Sequence, residues 1–272
     1  MKPALTITAA QMPYSERNRI KTYYEVSGEG FPFVLMHANP FDRRLFLYQA
    51  AHFSTYFKVI NIDLRGYGYS DKPTVPVTMG DLCEDVVAVC RQEGAREAIF
   101  AGVSVGGVMG LQLGLDYPEL FKALVIVGCS SQPGDRYQSR IDGYMKQGMG
   151  SFHIQHLTDL VSPEFAHSKR GQYLLGMHTE MDARLSAPAI AEIFRALQNR
   201  DLTPRLPELK TPVLIVNGEF DNALKRSREM STKIAGAEHH VIAGAGHACC
   251  LEDPATFDGL VLAFLRKHSF LK

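Results

Sequence analysis

The sequence carries no excess charge. Lys+Arg and Asp+Glu both number 29, and neither half of the chain is conspicuously basic. Phosphate-backbone binding needs clustered Lys and Arg, so nucleic acid is not expected as a partner. Long apolar runs are also missing: none approaches the ~18 residues of a membrane span. Met1 to Met12 has no small-residue cleavage site after an apolar run, so neither a membrane nor a secretory signal is expected. Cysteine is sparse. The five residues Cys83, Cys90, Cys129, Cys249 and Cys250 form an odd, scattered set without metal-type spacing. Cys249 and Cys250 are adjacent, which disfavours a disulfide between them, and free thiols in a reducing cytoplasm are expected. There is no internal repeat and no low-complexity segment.

What is present is ordinary globular material, 272 residues of which 46% are hydrophobic, enough for one large α/β domain carrying an insertion. Apolar runs alternate with helix-length segments, which predicts a mostly parallel sheet with crossover helices. The expected strands are Thr22–Val26, Phe33–Met36, Phe57–Ile62, Ala98–Val103, Ala123–Val127, Val213–Val216 and Glu238–Ile242. The expected helices lie near Arg43–Phe53, Met79–Glu93, Gly107–Asp116, Ala223–Ala235 and Ala255–Lys267. The rhythm breaks over residues 131–203, a stretch rich in Gln, Met, His and Tyr. Its periodic pieces (Tyr137–Gln147, Pro163–Gly176, Ala187–Asn199) read as a helical lid. The core domain is then 1–130 plus 204–272, with a cap at 131–203.

Gly102-Val103-Ser104-Val105-Gly106-Gly107 follows one expected strand and precedes an expected helix. Gly-x-Ser-x-Gly in that context is a nucleophile elbow: a sharp turn lifts the serine clear of the backbone and leaves no room for neighbouring side chains. The spacing matches neither Gly-x-Gly-x-x-Gly nor a P-loop, which argues against a nucleotide site. Of ten histidines, His247 stands on a glycine-flanked loop, Gly244-Ala245-Gly246-His247, after the last strand, where it can reach the serine as general base. Asp221 ends the strand at Val213–Val216 and can orient that base, with Glu219 as fallback. The chain order Ser, Asp, His is that of α/β hydrolases. The turn Met36-His37-Ala38-Asn39-Pro40 can aim the Asn39 N–H beside that of Val105 to form an oxyanion hole. His37 is expected to contact substrate, and Met145 and Met177 of the lid suggest an apolar, adaptable pocket.

On these residues, and on Asp63-Leu64-Arg65-Gly66-Tyr67-Gly68-Tyr69-Ser70-Asp71, the chain resembles the α/β-hydrolase superfamily over nearly its whole length. It is most similar to the capped branch of esterases, epoxide hydrolases, haloalkane dehalogenases and cofactor-free haloperoxidases. The dehalogenase and epoxide hydrolase branches carry Asp at the elbow. Ser104 here therefore implies acyl transfer, without metal or organic cofactor, on a small-molecule substrate. Ala38 departs from the usual glycine of the family. Ester cleavage is expected first, and C–C bond or lactone hydrolysis or perhydrolysis by the same residues second. A ligand receptor on a hydrolase fold is the alternative of a different class.

Overall fold

Short apolar runs separated by helix-length segments form one eight-stranded sheet in the computed structural model, which describes residues 13–271. The expectation for Met1 to Met12 lies outside those residues. The strands are β1 (Tyr14–Arg17), β2 (Ile20–Ser27), β3 (Pro32–Met36), β4 (Lys58–Ile62), β5 (Ala98–Val103), β6 (Phe121–Val127), β7 (Val213–Gly218) and β8 (Glu238–Ile242). They are ordered β1-β2-β4-β3-β5-β6-β7-β8. The β1/β2 and β2/β4 pairs are antiparallel, and all others are parallel. β5 and β7 are buried at every residue, as strands covered on both faces must be.

β1 is the strand not anticipated. Its Tyr-Ser-Glu-Arg sequence has one apolar residue, too few for a periodic signal. Asn18 and Arg19, both at positive φ, close a two-residue hairpin onto β2.

Successive strand residues face opposite sides of the sheet, so each side acquires its own core. On one side Val34, Ile60, Phe100 and Leu124 pack against helices α2 (Met79–Gln92) and α3 (Val105–Asp116). On the other, Phe33, Val59, Ile99 and Val125 pack with α1 (Leu47–Phe53) and, from the chain's end, Phe257, Val261 and Leu265. Local chemistry fixes where α2 begins. Thr78 and Asp81 form a reciprocal capping box, just before Leu82, Val86 and Cys90 repeat at helical spacing. The expected helix at Arg43–Phe53 divides into a 3-10 turn, Arg43–Phe46, followed by α1.

Between β6 and β7 lies a wholly helical segment: α4 (Tyr137–Gln147), α5 (Met149–His156), α6 (Pro163–His167), α7 (Lys169–Thr179) and α8 (Ala187–Gln198). Its ends meet where the Leu202 N–H donates to the Ser131 carbonyl at 2.8 Å. The single helix expected over Pro163–Gly176 is broken at Ser168. That residue is extended (ψ 152°) and its hydroxyl accepts from the Gly171 N–H, capping α7. α5 was not anticipated: it starts anew after Gly148, whose φ of 79° ends α4. The remaining helices are α9 (Leu224–Ser231), the short α10 (Cys249–Glu252) and α11 (Pro254–Lys267). Among the described residues no helix is long and apolar enough to cross a membrane. All five cysteines are free and buried.

Candidate active site

Four loops leave the carboxyl ends of parallel strands at one edge of the sheet: Asn39 after β3, Ser104 after β5, Asp221 after β7 and His247 after β8. That edge is where open α/β sheets bind ligands. Together with Val105 these residues line one cavity of about 310 Å³ beneath the helical segment.

Ser104 sits at φ 56° and ψ −112°, a conformation that costs an ordinary residue of order 1–3 kcal/mol. It is held by an N–H bond to the Val127 carbonyl at 2.8 Å. The flanking glycines are required by space. A Cβ on Gly102 would lie 2.2 Å from the Gly106 carbonyl oxygen, and one on Gly106 would lie 2.4 Å from that of Met36. Val105 opens α3, so its N–H has no intrahelical acceptor. Neither the Val105 nor the Asn39 N–H has a hydrogen-bond partner among the described residues. The Asn39 side chain, by contrast, is engaged at both ends: Nδ2 donates to the Tyr144 hydroxyl at 2.7 Å, and Oδ1 accepts from Tyr67 at 2.8 Å.

The His247 and Asp221 side chains meet at 2.9 Å, Nδ1 to Oδ1. Asp221 Oδ1 also accepts from the Ala223 N–H at 2.8 Å, and Oδ2 from Asn217 Nδ2 at 2.7 Å. Burial alone would raise the Asp221 pKa. The facing His247 charge, its hydrogen bond and the two further donors outweigh that effect and hold the carboxyl below its ordinary value. With Nδ1 bonded to the carboxylate, Nε2 is the ring nitrogen left for proton transfer. No hydrogen bond joins Ser104 Oγ to His247 among the described residues; such contacts often tighten only when substrate is bound. Glu219, the fallback acid, instead accepts from the Gly244 N–H at 2.9 Å and is exposed.

Three residues expected at the substrate lie elsewhere. His37 is fully buried, and its Nε2 accepts the Leu64 N–H at 3.0 Å, so it braces the turn instead of facing the cavity. Met145 is 54% exposed, and Met177 packs against the core on the opposite side of the sheet from α2. The cavity is not an apolar methionine pocket. Val105, Tyr137, Phe194 and Leu197 share its wall with Arg136, Arg140 and Arg226. The segment from Asp63 to Asp71 is structural: the buried Asp63 carboxylate accepts from the N–H groups of Arg43 and Tyr69. Among the described residues no three His, Cys, Asp or Glu side chains gather as a metal site.

Several contributors were invisible in the sequence. Asn217 orients Asp221 through Nδ2, while its Oδ1 accepts from His239 Nε2 at 3.0 Å. Gly128, at φ +58°, leaves room for the pair, since a Cβ there would lie 2.8 Å from His247 Nδ1. Glu252 accepts from the Gly246 N–H at 2.7 Å and from the Ser162 N–H at 2.9 Å, tying the His247 loop to the helical segment. Gly128 and Asn217 share one available signal, their position at a strand's carboxyl end.

Comparison with known proteins finds hydrolases of the same fold. Over 252 residues the chain is 25% identical to 3-oxoadipate enol-lactonase 2 of Acinetobacter baylyi, covering 90% of this chain and 93% of that one. Among solved structures, the enol-lactonase from Burkholderia xenovorans LB400 superposes with a TM-score of 0.88 at 24% identity, covering 93% of this chain and all of that one. A thermophilic esterase from Thermogutta terrifontis superposes at 0.84 and 23% identity, over 91% and 94% of the two chains. The α/β-hydrolase fold family matches residues 32–254. The chain is an α/β hydrolase and belongs to that family.

Proposed function

We propose that the protein is a serine hydrolase that cleaves a small carboxylic ester through an acyl-enzyme on Ser104. The observation that carries this reading is the convergence of Ser104, the Asp221-bonded His247 and two unpartnered N–H groups on one cavity. Ser104 Oγ attacks the carbonyl carbon while its proton passes to His247 Nε2. The oxygen takes the electron pair and is held by the N–H groups of Asn39 and Val105. When the carbonyl re-forms, the C–O bond to the leaving group breaks and His247 returns the proton to the departing alkoxide. Water then attacks the acyl carbon, His247 takes its proton, and Ser104 is released. Asp221 keeps the imidazole in the tautomer that makes both transfers possible.

A lactone is the second reading, favoured by the curated relative named as an enol-lactonase. The steps are the same, except that the leaving alcohol stays tethered to the acyl group until water releases the open hydroxy acid. Initial rates on p-nitrophenyl butyrate and on a small lactone, each with Ser104→Ala as control, test the proposal. Turnover lost in that variant supports it, and the faster substrate decides between the readings. Comparable turnover by Ser104→Ala refutes the nucleophile.

A further inference from the structure

Arg136 and Arg140 both line the cavity, one helical turn apart, with Arg140 half-buried and Arg136 exposed at the mouth. Residues four apart share a helix face, so the two guanidinium groups can serve one ligand. Neither makes an ion pair or side-chain hydrogen bond among the described residues. The third arginine, Arg226, differs: it pairs with Asp135 and donates to the Pro133 carbonyl. The wall carries three carboxylates: Asp135, paired with Arg226, Asp221, paired with His247, and Asp159, exposed at the rim. The groups without a partner are therefore two cations, Arg136 and Arg140, against the one anion Asp159, a net positive charge.

The placement is also unfavourable locally. Arg136 is the N-cap of α4 and Arg140 ends its first turn, where the helix dipole favours anions. The first turn holds no acidic residue to offset them. Arg140 lies close enough to the buried Tyr67 hydroxyl to counter part of its upward pKa shift, which burial and Tyr144 cause. Tyr67 donates to Asn39, which lines the same cavity as Arg140.

Resting on the reading of this cavity as the site of acyl transfer, we propose that the substrate carries a carboxylate remote from the scissile carbonyl, bound by Arg136 and Arg140. A carboxylate offers the planar pair of oxygens that guanidinium groups bind in parallel. It also supplies the anion that the helix end and both arginines lack.

The test compares kcat/KM for mono-p-nitrophenyl glutarate with that for p-nitrophenyl valerate, which differ in a terminal carboxylate against a methyl group. The wild-type anionic-to-neutral ratio should exceed that of Arg136→Gln/Arg140→Gln by on the order of 10- to 100-fold, and it should shrink as salt is added. Arg136→Gln alone, at the exposed mouth, should lower the ratio in the same direction by less. A ratio unchanged in both variants, while Ser104-dependent turnover persists, overturns the carboxylate site and leaves the hydrolase reading standing. Calorimetric binding of glutarate to Ser104→Ala, lost when both arginines are also replaced, supports the site even if neither ester is hydrolysed. In that case the ester reading of the proposed function is the one that fails.

Discussion

At Asp221 three donors converge on one buried carboxylate: Asn217 and the Ala223 backbone from its own segment, and His247 from the loop after β8. Removing the charge while keeping the shape isolates what it does. Asp221→Asn should retain the fold and lower kcat by about 10⁴, because an amide cannot hold the imidazole in the proton-accepting tautomer. Steady-state kinetics on an activated ester measures this; a loss below tenfold would show that another group orients His247. The same carboxylate contributes to stability in a pH-dependent way. Its folded pKa is depressed, so its contribution is complete above the unfolded value near ~3.9 and disappears as pH falls through the lower folded value. The unfolding free-energy gap between wild type and Asp221→Asn should therefore close on acidification. A gap that widens toward low pH contradicts the assignment. Ser104, Asp221 and His247 were legible because each lies in a short local pattern at a strand end. Glu252 was not, since its partner Ser162 sits 90 residues away, and Asn217, although only four residues from Asp221, belongs to no pattern that singles it out.

Among the elements, the loops carry the tightest constraints. Gly128 leaves β6 at φ +58° with the His247 ring and the Asp221 carboxylate against it. Gly128→Ala should therefore cost about 1–3 kcal/mol in backbone strain and also displace His247. Melting temperature and kcat should fall together, and a variant with near wild-type kcat would show that the ring has room to move. The Asn39 turn depends on α4 in a comparable way. Tyr144, on α4, is fully buried and accepts from the Asn39 amide. Tyr144→Phe leaves that donor unsatisfied, at a cost of about 1–3 kcal/mol, measurable by denaturant unfolding. Stability equal to wild type would mean that Asn39 finds another partner. Element types were mostly readable from hydrophobic period, as in α2, where the capping box and apolar spacing agree. Breaks such as Ser168 were not: a polar cap inside a helical pattern is ambiguous until tertiary packing selects it.

For the molecule as a whole, the sheet brings four separate loops to one edge, and the helical segment closes the cavity above them. The alternation of strands and helices made this architecture readable. The character of the cavity was not. Met145 and Met177 suggested an apolar wall, yet one is turned to solvent and the other packs into the core. Arg136 and Arg140 form the wall instead, because the direction in which α4 presents its face depends on how it packs on α8. The positions of the chemical groups followed from the strand ends, whereas the selectivity of the cavity depends on packing that no local pattern encodes.

The most direct test of the central claim is an acid-quenched mixing experiment with p-nitrophenyl butyrate, followed by mass analysis of the protein and its peptides. The account predicts a transient butyryl adduct on the peptide containing Ser104, absent in Ser104→Ala and accumulating in wild type before steady state when deacylation is the slow step. Hydrolysis that continues in Ser104→Ala, or an adduct on another residue, would contradict it.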